Sequence, residues 1–150
     1  ARLFRNSNVN VVCGKEWSFK DENRTGKLKN KGSIIKENVF ETIRVGIIDQ
    51  PCTFFRKKSI ESFFPLDTSL HYVMDRPLWW RYLLKHGLHN ILQTPQVFTN
   101  FGLHSESKSV GEGDFFEAEF DQLKLSIFRQ LRAPEIIRKQ IIPDGKILNI

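Results

Sequence analysis

Asp67-Thr68-Ser69-Leu70-His71-Tyr72-Val73-Met74-Asp75-Arg76-Pro77-Leu78-Trp79-Trp80-Arg81-Tyr82-Leu83-Leu84-Lys85-His86-Gly87 is the stretch whose reading decides the fold. It contains a short helix with a marked start. Asp75 has the chemistry of an N-cap, because its carboxylate can accept from backbone N–H groups that have no partner inside a helix. Pro77 in the first turn gives up a donor that would be orphaned there anyway, and Gly87 supplies the stop. Leu78 and Tyr82 share one side with Leu84 or His86, while Trp79, Trp80 and Leu83 cover much of the rest. A helix apolar nearly all round is a buried helix. One that begins with a carboxylate can aim that carboxylate into a cleft.

Around this centre the chain reads as alternating strands and helices. Asn8 to Cys13 is β-branched and partly alternating, hence a strand. Gly14 lets it bend, and Trp17 and Phe19 continue it. Lys20 to Gly26 is turn chemistry, and Lys27 to Gly32 reads as an exposed loop. Between Ile34 and Val45, Ile35, Val39, Phe40 and Ile43 recur at helical spacing. Cys52 to Arg56 has the content of a buried strand. Lys57 to Phe64 gives one or two helical turns stopped by Pro65, with a turn cluster at Asp67-Thr68-Ser69.

Beyond Gly87, His89 to Leu92 and Val97 to Phe101 read as two short strands separated by Thr94-Pro95, and Gly102 to Gly113 as a loop. Asp114 and Glu117 have the form of a capping box ahead of Phe116, Phe120, Leu123, Ile127 and Leu131 at helical spacing. Pro134 opens a second, shorter helix with Ile136, Ile137, Ile141 and Ile142. No internal repeat and no low-complexity segment stands out.

At 150 residues with 40% hydrophobic content, the chain is long enough to build a core of its own. A net charge of +6 favours anionic partners: nucleic acid, a phosphorylated substrate or an acidic surface. The absence of a membrane-length apolar run and of a signal-type start leads to the expectation of a soluble, cytoplasmic protein. The two cysteines, Cys13 and Cys52, lie in apolar surroundings and in no metal-type spacing, so they are expected as free, packed thiols. Met74 is the only methionine, so the chain opens on Ala1 without an initiator, as a processed start or a cut from a longer protein would leave it.

Taken together, Gln50-Pro51-Cys52-Thr53-Phe54-Phe55-Arg56, Asp67, Leu70-His71-Tyr72-Val73-Met74-Asp75, Leu78-Trp79-Trp80-Arg81, Gly87, and His104 with Ser107 and Ser109 resemble the C-terminal half of a family 2 glycosyltransferase with the GT-A fold. The matched residues cover about the middle third of the chain. The resemblance implies an α/β fold that forms the C-terminal, acceptor-side portion of a nucleotide-diphospho-sugar transferase, with the N-terminal nucleotide-binding strands missing. Residues 1–110 would be the acceptor-side part of the catalytic domain, and residues 111–150 C-terminal amphipathic helices packed on it.

The implied activity is transfer of a sugar from a nucleotide-sugar donor to an acceptor hydroxyl, with inversion. Asp75 falls on the family's catalytic base, and an inverting transferase needs one base within hydrogen-bond reach of the attacking hydroxyl. As an N-cap beside the positive helix end, it is expected to have a lowered pKa. Gln50, Thr53 and Trp79 would line the acceptor site, Trp79 by stacking on a sugar ring, although tryptophans in this pattern are more often core. His104 would join the metal and diphosphate site. Gly102 stands where family members often carry Arg, and Pro77 where they often carry a second acid. Arg56 reads as a solvated cation, and Arg81 as a structural partner of some carboxylate within the helix packing.

No Asp-x-Asp and no Gly-rich phosphate loop occurs in the chain. The full-length enzyme would therefore supply the donor site and its divalent metal, Mn or Mg, and this chain alone would bind no metal and be inactive. The expected partners are a nucleotide-sugar and a saccharide or lipid-linked acceptor, with no nucleic acid. Contact at the inner face of a membrane through the Ile136 to Ile142 helix, and a homo-oligomer, are further expectations. The alternative is a non-catalytic basic module that binds nucleic acid or an acidic surface, with Trp17, Phe19 and Phe55 among basic residues as its stacking groove.

Overall fold

The computed structural model describes residues 2–19, 29–103 and 113–130. Its centre is a nine-residue strand, β1 (Val11–Phe19), to which every other strand pairs. β2 (Lys29–Gly32) runs antiparallel to the second half of β1, Lys15 facing Gly32 and Ser18 facing Lys29. β3 (Thr53–Phe55) runs antiparallel to the first half, Val11 facing Phe55. β4 (Ile91–Gly102) lies along the other side, parallel to β1 over its whole length. The result is a small mixed sheet in an α/β chain.

Two strand expectations need correction. Lys27 to Gly32 is not all loop, because Lys29-Asn30-Lys31-Gly32 forms β2 despite having no β-branched residue. The open backbone of β1 supplies the pairing that local preference does not. The segments around Thr94-Pro95 are one strand with an irregularity. Cys13 faces Gln93 and Lys15 faces Val97, so Thr94, Pro95 and Gln96 oppose Gly14 alone. Proline lacks the N–H a regular ladder would use, and a bulge accommodates it. A second shift follows, since Glu16 faces Thr99 and Phe98 is the extra residue. The Phe98 ring occupies the place a side chain at position 14 would take, so glycine is required there.

The helices are α1 (Val39–Val45), α2 (Lys57–Ile60), α3 (Arg76–His86) and α4 (Gly113–Gln130). α1 is shorter than its hydrophobic spacing suggests. Asn38 caps it by accepting from the Glu41 N–H, and Ile34 instead bridges to Ile47. α2 and the single turn that follows it end before a cis Phe64–Pro65 bond. The chain bends at Pro65, where the stop is expected.

α3 is buried as expected: Pro77, Leu78, Trp79, Trp80, Tyr82 and Leu83 are all buried, and Gly87 closes the helix at φ 70°. It packs with Val11 and Cys13 of β1, Ile43 of α1, Ile48, Ile60, Phe63 and Ile127 of α4 in one core. β3 is not the buried strand expected. Thr53 faces inward, but Phe54 is 55% exposed and sits edge-on to Phe98 at 5.3 Å.

The helix expected after Pro134 and the loop around His104 lie outside the described residues. Among the described residues no helix is long and apolar enough to cross a membrane.

Candidate functional site at the start of α3

Asp75 precedes α3 but does not cap it. Its backbone is already helical, at φ −80° and ψ −23°, and its side chain makes no capping hydrogen bond. The turn ahead of it is closed by the Arg76 N–H donating to the Val73 carbonyl at 3.0 Å, with Val73 fully buried. This geometry carries the carboxylate past the position from which an N-cap reaches its amides.

The expected lowering of the Asp75 pKa is therefore corrected in sign. Burial pushes this carboxyl above the ordinary aspartate range, and the charge of Asp49 adds to the rise. The Arg76 guanidinium and the neighbouring backbone N–H groups oppose the rise without cancelling it. Arg76 is itself held below its ordinary value by burial, with Asp75 and Asp49 pulling the other way. Desolvation thus outweighs the helix end here.

Asp49 is the electrostatic centre of this region, since its charge reaches Asp75, Arg76, Cys13, Glu16 and Cys52. It stands at the entrance to the Gln50–Cys52 turn that leads into β3. Its carbonyl accepts from Thr53 Oγ1 at 2.6 Å, and its carboxylate oxygen Oδ2 accepts from Cys52 Sγ at 3.3 Å. The charge at the turn before β3 is therefore felt at the start of α3.

The other expected site residues fare differently. Gln50 is exposed and follows Asp49 at the start of the turn before β3. Thr53 is buried, its hydroxyl committed to the Asp49 carbonyl. Trp79 is 2% exposed and packs against Phe55 and Tyr82, which leaves its ring no open face for a sugar. Its place is the core, away from any acceptor.

Arg56 is not a solvated cation. Its guanidinium donates to the carbonyls of Val9 at 2.8 Å, Phe4 at 2.6 Å and Asn6 at 3.3 Å, and lies over the Phe4 ring. Arg81 is exposed and close enough to Asp67 to help hold that carboxyl down, although the larger causes are hydrogen bonds from the Ser69 hydroxyl and N–H. Both residues line a groove of about 430 Å³ between α3 and α4, with Leu84, Lys85 and Leu123.

Two carboxylates that drew no attention in the sequence matter here. Glu16 is buried in β1 at 4% exposure. Glu119 on α4 accepts from three consecutive backbone N–H groups, those of His71, Tyr72 and Val73, just ahead of Asp75. An inward charge in the middle of a strand was a signal open to the sequence. A glutamate in an amphipathic helix carried none.

His104 lies outside the described residues. Among the described residues, no three of His, Cys, Asp and Glu gather in a way that could hold a metal ion. No grouping of the described residues is assigned to the divalent metal implied by the resemblance, and no chemical step is routed through one. Compared with protein-family models, with curated proteins and with solved structures, the chain gives no match.

Proposed function

We propose that this chain forms the acceptor side of an inverting glycosyltransferase, with Asp75 as the general base that takes the proton from the attacking hydroxyl. The observation that carries the reading is the Asp75 carboxylate, at the start of α3, free of any capping hydrogen bond and pushed upward in pKa by burial. A capping carboxylate would be a weakened base; burial makes this one stronger, and the backbone N–H groups of Asp75 and Arg76 offset that only in part. In this reading Gln50, exposed and next to Asp49 in the chain, contributes to the acceptor side.

In this reading the acceptor enters beside Asp75 and its hydroxyl attacks the anomeric carbon of the donor. The proton passes to an Asp75 oxygen as the new bond forms, and the nucleoside diphosphate leaves from the opposite face. The nucleotide-sugar and its metal are held by a nucleotide-binding half, which the described residues do not supply.

The test uses the full-length protein with Mn²⁺ or Mg²⁺ and a panel of nucleotide-sugars, reading the release of nucleoside diphosphate. Asp75→Asn is expected to lower the rate by about 100- to 10,000-fold, the range of a lost general base. Undiminished turnover in Asp75→Asn overturns the assignment.

A further inference from the structure

The turn that presents Asp75 is held from the far side by α4. Glu119 accepts at Oε1 from the His71 N–H at 2.7 Å, and at Oε2 from the N–H groups of Tyr72 at 2.6 Å and Val73 at 2.9 Å. Three converging amides around one carboxylate form a concave anion seat, and charge-assisted bonds of this kind are among the stronger polar contacts in a protein. The neighbouring turns of α4 reinforce the same place. Phe115 stacks on Tyr72 with ring centroids 6.5 Å apart and 11° between planes. Phe120 packs on Trp80 at 5.8 Å, and the Arg76 guanidinium lies over its ring at 5.4 Å.

Six α4 contacts thus fall on residues 71 to 80, on either side of Asp75. The Val73 carbonyl that closes the Asp75 turn belongs to a residue whose own N–H is held by Glu119. Arg76, the cation next to Asp75, is covered by the α4 ring. We propose that Glu119 is the positioning residue of this site, a latch through which α4 fixes the turn that carries Asp75 and keeps that carboxylate partly withdrawn from water.

The inference rests on the proposed role of Asp75 and extends it to a residue 44 positions away that touches no reacting atom. Two sets of charged and titratable groups among the described residues face the latch and the carboxylate it holds. His71 faces the Glu119 carboxylate. Arg76 and Asp49 face Asp75. Burial favours the protonated form of Glu119, but the three amides and His71 outweigh it and hold the carboxyl below its ordinary value, so the latch is charged at neutral pH.

The experiment follows the Asp75 carboxyl by carbon-detected NMR titration in the full chain, together with amide hydrogen exchange at His71, Tyr72 and Val73. Wild type is compared with Glu119→Gln, Glu119→Ala and Leu123→Ala. The last variant thins the packing of α4 while leaving the latch carboxylate in place. Glu119→Ala is expected to speed exchange at the three amides by about tenfold or more. It should also lower the Asp75 midpoint by about half a pH unit or more, as water reaches the carboxylate.

Glu119→Gln keeps one acceptor oxygen and should fall between wild type and Glu119→Ala. If the alanine variant does not fold, the glutamine variant carries the comparison. Leu123→Ala should reduce thermal stability and leave the Asp75 midpoint in place. An unmoved Asp75 midpoint in the Glu119 variants overturns the proposal, and so does an equal movement in Leu123→Ala. No substrate enters these measurements, so failure of the transfer assay would remove the functional reading without touching this result, and the reverse also holds.

Discussion

Ser18 Oγ donates to Glu16 Oε1 at 2.9 Å, and the other Glu16 oxygen is buried with no hydrogen-bond partner among the described residues. A carboxylate so placed is costly in its charged form. Burial pushes the Glu16 pKa up and Asp49 adds to the rise, while Ser18 and Lys31 oppose it. The folded chain therefore holds this proton more tightly than the unfolded chain does. Stability contributed by the neutral acid is fully present below the unfolded-state pKa near 4.5 and is lost as pH rises through the folded value. Glu16→Gln should leave stability unchanged at acid pH and raise it at neutral pH. Chemical denaturation at the two pH values measures this.

Arg56 ties the segment before β1 to the start of α2. One planar guanidinium serves three backbone carbonyls and also covers the Phe4 ring. Arg56→Ala should cost about 2 kcal/mol, the scale of losing charge-assisted bonds to partly exposed acceptors. Arg56→Lys should recover little of it, because an ammonium cannot reach three carbonyls in a fixed fork. Denaturant midpoints give the cost, and faster proteolysis ahead of Val9 would locate it.

Cys13 and Cys52 are buried free thiols. Burial first, then the nearby Asp49, pushes the Cys52 thiol up to about 12. Burial likewise raises Cys13. Because the thiolate is the reactive species, neither should be alkylated in the native chain at pH 8, and both should react in denaturant. Mass spectrometry after labelling would count them. Rapid native modification of either would contradict the packing described.

Asp75 should set the acid limb of the pH–rate profile. With its pKa raised above 3.8 by burial and Asp49, kcat/KM for transfer is expected to fall on acidification at a pH above that of a free aspartate. Asp49→Asn, by removing a like charge, should move that limb downward. A profile unaffected by Asp49→Asn would separate the two carboxylates.

α3 was legible residue by residue, since Pro77, the aromatic run and Gly87 act locally and their effects are preserved in the folded chain. The N-terminal strand was equally plain, because alternation and β-branching report directly on a sheet. From its sequence neighbours alone Asp75 reads as a cap. Its actual environment depends on burial and on the charge of Asp49, which reach it only after folding. β2 is similar: Lys29 to Gly32 has no strand preference of its own and takes its conformation from β1. The Thr94-Pro95 interruption misled for the opposite reason, since a strong local breaker was absorbed by a bulge opposite Gly14. Glu119 was beyond reach, its partners lying more than forty residues away in the sequence.

That bulge has a consequence for how the protein behaves among its neighbours. β4 pairs with β1 on one side, and among the described residues its other side meets no strand. A straight parallel strand of twelve residues would offer passing chains a long template for pairing. Thr94-Pro95-Gln96 breaks that template near its middle, with one donor missing and the backbone turned out of line. The interruption opposite Gly14 thus makes this edge a poor seed for aggregation.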